Sequence, residues 1–148
     1  SEMSTGIVEA ADELGVDPLD LATVISYETG GTFDPRQQGP TTQWGQDEGL
    51  IQFGQPQQQQ YGVNLDTPEL AMSSQLGADG AIVDYLRDTG VRRGMGLLDL
   101  YSAVNAGGVG RYDATDENNG GAPGTVRDKV EDQMAGHRRN AMRILGLD

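Results

Sequence analysis

Apolar residues recur at helical spacing along most of the chain. Between Thr5 and Leu14, the residues Ile7, Ala10, Ala11 and Leu14 share one face, and Gly15 supplies a stop. Asp17-Pro18 then reads as a helix start, an N-cap oxygen followed by a proline at the first helical position. It predicts a helix from Pro18 to about Thr29, ended by Gly30 and Gly31. Thr67-Pro68 opens another by the same logic, reaching Asp88 before Gly90, with Met72, Leu76, Val83 and Leu86 inward. Leu97 to Ala106 carries a stripe of Leu98, Tyr101 and Asn105. A last helix runs from about Thr125 to Leu145, with Val126, Val130, Met134, Ala141 and Leu145 inward.

The segments between these helices lack a period. Residues 30–48 contain two prolines and four glycines, and a loop that long in a compact domain is usually functional. Gly49 to Gly54 is short, apolar and glycine-bounded, a turn or brief strand on the core. Gln57 to Gln60 reads as a solvated loop or helix start, and Gly107 to Gly124 as a second long loop. The pattern predicts a mainly α fold, a single domain over residues 1–148, with long irregular loops and at most a small β element.

Composition narrows the function classes. A net charge of −13 argues against nucleic acid as a partner and against adhesion to anionic membranes. No apolar run approaches the roughly 20 residues that span a bilayer, so no membrane insertion is expected. The first residues show no signal peptide. Cysteine is absent, which removes disulfides and cysteine-based zinc sites; Lys129 is the only lysine.

One residue interrupts the apolar stripes in an informative way. Leu21, Val24, Ile25 and Glu28 fall at i, i+3, i+4 and i+7, which sets a carboxyl group on the inward face of the last helical turn. Burial and the negative end of the helix dipole both disfavour its ionised form, as a general acid requires. The plain alternative is a glutamate at the core edge, hydrated or paired with an arginine.

Three segments read together with it: Glu28-Thr29-Gly30-Gly31, Gly49-Leu50-Ile51-Gln52-Phe53 and Ser102-Ala103-Val104-Asn105-Ala106-Gly107. In this order they resemble the motifs of the soluble lytic transglycosylases, relatives of goose-type lysozymes, over Leu21 to about Gly107. The resemblance implies a lysozyme-like fold, peptidoglycan glycan strands as substrate and no cofactor or metal. It makes Glu28 the acid that protonates the bond between N-acetylmuramic acid and N-acetylglucosamine, then the base that takes the proton of the muramic C6 hydroxyl. Thr29 takes the place of a family serine that binds substrate or holds the glutamate, and Gln52 and Asn105 match cleft amides able to donate to sugar groups. Tyr101 joins them as a substrate-binding residue. The alternatives are an ordinary loop amide for Gln52 and a helix C-cap for Asn105.

The sequence departs from the family at Val104, where a tyrosine is usual, and at Thr125-Val126-Arg127-Asp128, which no tyrosine follows. Tyr27, Tyr101 and Tyr112 are the rings available to replace them. Goose-type lysozymes carry a water-positioning acid before the second motif; here Gln43-Trp44-Gly45-Gln46-Asp47-Glu48 makes Asp47 the candidate, followed by Asp34. Either is equally a solvated loop acid. Trp44 is either a stacking platform for a pyranose or a core plug.

Phe33 and Tyr61 read as packing, and His137 as a partly buried structural histidine. Asp113, Asp116, Asn118 and Asn119 loosely resemble a calcium loop, but their spacing fails the EF-hand template. The small size fits a wall-opening component of a phage or phage-like particle, with other virion proteins as partners and the periplasmic cell wall as its place of action. The rival classes are a non-catalytic lysozyme-like structural or glycan-binding module, and an enzyme for a related polymer such as chitin or chitosan.

Overall fold

Ser1 caps the first helix, α1 (Glu2–Leu14), through a capping box with Ser4, and Gly15 closes it in the left-handed conformation at φ 75°. That cap starts the helix earlier than Thr5 and brings Met3 into the core beside Ile7, Ala10, Ala11 and Leu14. The second helix, α2 (Pro18–Glu28), begins as expected, with Asp17 Oδ1 accepting from the Leu19 N–H at 2.9 Å. Its C-cap is Thr29 rather than a glycine. Gly30 and Gly31, both at positive φ, then turn the chain, and the Gly31 N–H returns to the Ser26 carbonyl at 2.8 Å.

In the computed structural model, residues 1–116 and 121–147 are described. Among them the protein is mainly helical, with one two-stranded sheet. That sheet lies in the segment expected to be irregular: β1 (Gln38–Thr42) and β2 (Gly45–Glu48) pair antiparallel around Gln43 and Trp44. Its strands escape a hydropathy reading because QGPTT and GQDE contain no apolar alternation, and Pro40 sits where the register breaks between Gln38 and Thr41.

The chain then turns at Gly49, returns through a bridge of Glu48 with Phe53, and buries Leu50, Ile51 and Phe53. The glutamine run forms most of a short helix, α3 (Gln55–Tyr61), with no buried residue. Gln75 pins this whole region from below. It is wholly buried, its Oε1 accepts from the Leu50 N–H at 2.8 Å, and its Nε2 donates to the Pro35 and Ala71 carbonyls.

Two helices expected as continuous are broken. The stretch after Thr67 splits into α4 (Pro68–Gln75) and α5 (Ala81–Asp88), because Gly77 takes φ 81° and gives its N–H to Gly6 of α1. Gly80 seals the break, since a Cβ there would come within 2.4 Å of the Leu76 carbonyl oxygen. α6 (Leu97–Ala106) matches the expectation and ends on a left-handed Gly107. The last stretch splits at the buried Met134 into α7 (Val126–Gln133) and α8 (Ala135–Ile144), so that α7 packs on α6 while α8 packs on α2.

One buried cluster, from Met3 to Ala141, joins these elements, with α2 running through it. His137 is half-buried as expected, its Nδ1 2.8 Å from Ser26 Oγ and its ring edge-on to Tyr27. No helix among the described residues is long and apolar enough to cross a membrane.

Candidate functional site

Glu28 is the last helical residue of α2, one turn beyond the fully buried Val24 and Ile25. It is half-buried and opens into a cavity of about 270 Å³ lined also by Tyr27, Tyr101, Val104 and Lys129. This cavity adjoins a wider cleft of about 780 Å³. Pro40, Asp47, Gln52, Asn105, Asp116 and Gly121 line both parts.

The electrostatics of Glu28 follow from this setting. Burial pushes its carboxyl up to about 8, the negative charges of Asp116 and Asp47 add to the rise, and the Lys129 ammonium opposes it. The carboxyl end of α2 adds negative potential of its own. A carboxyl in this state is protonated at neutral pH, able to donate, and basic once it has donated. Of the plain alternatives for Glu28, a place at the core edge fits its half-burial, while no arginine among the described residues lines its cavity.

The sequence-predicted residues distribute unevenly around it. Asp47, on β2, faces the cleft, and burial raises its carboxyl above the ordinary value. Glu48 points away and accepts from Gln55 Nε2 at 3.0 Å. Asp34, the other candidate acid, does not line the Glu28 cavity: it lines a separate one of about 380 Å³ with Arg36, Glu48 and Leu65, and its carboxylate accepts from the Arg36 N–H.

Gln52 lines the cleft in the left-handed backbone region, at φ 61°. That conformation is rare for a residue with a side chain and is often retained where function needs it. Its Nε2 donates to the carbonyls of Gln37 at 3.0 Å and Gly49 at 2.9 Å, while its Oε1 lies against Gly39, where a Cβ would come within 1.7 Å. Asn105 faces the cleft from the end of α6 and is not a C-cap, a place that Gly107 takes.

Four other residues named from the sequence find their places. Thr29 is only 3% exposed, donating to the Ile25 carbonyl and accepting from the Phe33 N–H, so its hydroxyl serves the turn after α2 and not the cleft. Tyr101 is a buried wall of the Glu28 cavity, its ring edge-on to Tyr27 at 5.3 Å; Tyr27 in turn donates to Gln133 at 2.6 Å. Tyr112 stands elsewhere, bonded to Asp99 and under Arg127. Trp44, at the tip of the hairpin, is 62% exposed and borders the wider part of the cleft, so it is not a core plug.

Two residues of the site escaped the reading of the sequence. Asp116 bridges Lys129 Nζ, through Oδ1, and Asn105 Nδ2, through Oδ2 at 2.9 Å. The signal available was Lys129 itself: the only lysine, three residues after the buried Val126 and therefore on its inward face. Of the calcium-like loop residues, Asn118 and Asn119 lie outside the described residues, Asp116 is engaged by Lys129, and no metal-binding group of three or more acids or histidines occurs among the described residues. No protein-family model, no curated protein and no solved structure matches the chain.

Proposed function

We propose that the chain cleaves the β-1,4 bond between N-acetylmuramic acid and N-acetylglucosamine in peptidoglycan, with Glu28 as acid and then base. The observation that carries this reading is a carboxyl held up to about 8, half-buried in a cavity that joins an open cleft and has two amides on its walls. The motif resemblance on Glu28, Gln52 and Asn105 supports it, since these three side chains line one cleft. In the reaction, Glu28 gives its proton to the glycosidic oxygen as the bond from that oxygen to muramic C1 breaks. The positive charge that develops at C1 is met by the C6 hydroxyl oxygen; Glu28, now a carboxylate, takes that hydroxyl's proton. A 1,6-anhydro end results, and the acid is regenerated.

Asp47 favours a second reading. It faces the same cleft, where a second carboxylate can hold a water for direct hydrolysis, as in an inverting lysozyme. In both readings the glycan of the bacterial wall is the substrate, and the exposed Trp44 offers a face for a pyranose ring.

The test is digestion of purified peptidoglycan by the wild type, Glu28→Gln and Asp47→Asn, with products read by mass spectrometry. Anhydromuramyl ends that disappear in Glu28→Gln, with a rate loss of about 10²–10⁴-fold, support transglycosylation. Reducing muramyl ends, lost also in Asp47→Asn, support hydrolysis. Absence of products from the wild type would sink both, leaving a non-catalytic glycan-binding module or an enzyme for a related polymer; equal products from wild type and Glu28→Gln would remove Glu28 from the chemistry.

A further inference from the structure

Lys129 is 1% exposed, and an ammonium removed from water to that degree persists only when paired. Its partner is Asp116, whose side chain is 31% exposed and reaches the cleft from the loop before α7. The second oxygen of Asp116 accepts from Asn105 Nδ2. A carboxylate only accepts, so this bond fixes the amide: the NH₂ faces Asp116, and Oδ1 is turned the other way. Gly121 keeps the arrangement possible, because a Cβ there would fall 2.0 Å from Asp116 Oδ1.

The same two charges face Glu28. The groups around it are Asp47 on β2, Asp116 on the loop, Lys129 on α7, and the phenols of Tyr27, Tyr101 and Tyr85 from α2, α6 and α5. Asp116 and Lys129 act on its proton with opposite sign.

We propose that Lys129 and Asp116 are positioning residues of this site: the buried ammonium fixes the carboxylate that orients Asn105, and their opposite charges, lining one cavity with Glu28, set the field at its carboxyl together. The proposal rests on Glu28 as the proton donor of the reaction above. It leaves Asn105 Oδ1 as an acceptor, suited to a sugar hydroxyl or an acetamido N–H, beside the one amide N–H that this bond does not use.

The experiment titrates the Glu28 carboxyl by carbon-13 NMR in the wild type, Asp116→Asn, Lys129→Met and the double variant, beside the pH profile and KM of peptidoglycan release. Asp116→Asn should lower the Glu28 midpoint by about one pH unit, a tenfold change in proton binding. Lys129→Met should raise it by a similar amount, and the double variant should fall between. Asp116→Asn should also raise KM roughly threefold to tenfold, as Asn105 loses its fixed orientation.

Midpoints that stay at the wild-type value in a folded Asp116→Asn protein overturn the proposal, as do shifts of the same sign in both single variants. Should Lys129→Met fail to fold, the Asp116→Asn arm decides alone. Wild-type cleavage with unmoved midpoints counts against the pair and not the reaction. Opposite shifts without any cleavage support the pair's hold on Glu28 and count against the reaction.

Discussion

On the α2 side of the cleft, Leu21, Val24 and Ile25 lie wholly inside the core, and Glu28 follows them one turn on. On the hairpin side no residue of β1 or β2 is fully buried, and the strands hold by backbone pairing, side-chain amides and the anchorage at their base. The proton-bearing group thus stands on the wall that has least freedom to move, where packing fixes both its place and its dielectric surroundings. The wall that carries Trp44 and Asp47 buries no strand residue fully, so local opening there should cost less than in α2.

The first way to break this contrast is to weaken the rigid wall. Leu21→Ala removes a fully buried side chain and should cost about 2–5 kcal/mol in denaturant unfolding. A loss under about 1 kcal/mol would mean that the α2 side is as compliant as the hairpin.

A second change should move stability the opposite way. The folded carboxyl of Glu28 is raised from 4.5 to about 8, so the folded state binds its proton more tightly than the unfolded chain. Its contribution is fully favourable below about pH 4.5 and is lost as pH rises toward 8. Glu28→Gln should therefore match the wild type near pH 4 and exceed it above pH 8 by on the order of 2–4 kcal/mol, in melting curves at both pH values. An equal difference at the two pH values would refute an acid strained by its surroundings.

The smallest effect sharpens the other side. Trp44→Ala should shift stability by less than about 0.5 kcal/mol, because the ring is mostly exposed. It should weaken binding of a soluble muropeptide chain by about fivefold to tenfold in calorimetry, the loss of roughly 1 kcal/mol of stacking. Unchanged affinity would remove the hairpin tip from the binding surface.

The same contrast explains what could be read from the chain. Helices with caps and apolar stripes were legible: Ser1 alone shifted the start of α1, and α2 and α6 stand where Asp17-Pro18 and Leu98/Tyr101/Asn105 put them. The hairpin was not, because its strands are specified by pairing and turn geometry rather than by hydropathy. The breaks at Gly77 and Met134 escaped for a related reason: a helical period continues across a hinge when the residues on both sides remain apolar.

At the site, Glu28 was visible because it violates a stripe. Thr29 looked like a cleft hydroxyl because it directly follows Glu28, yet the turn after α2 claims its oxygen. Asp116 could not be inferred at all, since only the folded chain brings it to a lysine 13 residues away and an asparagine on another helix.

Gln75 gives the hairpin a further property. One amide grips the Pro35 carbonyl on the way in and the Leu50 N–H on the way out, so both feet of the excursion are set by a side chain outside it. Residues 38–48 are in that sense a cassette whose tip, around Gln43 and Trp44, can change while the ends stay seated. A change at that tip leaves the helix that carries Glu28 undisturbed.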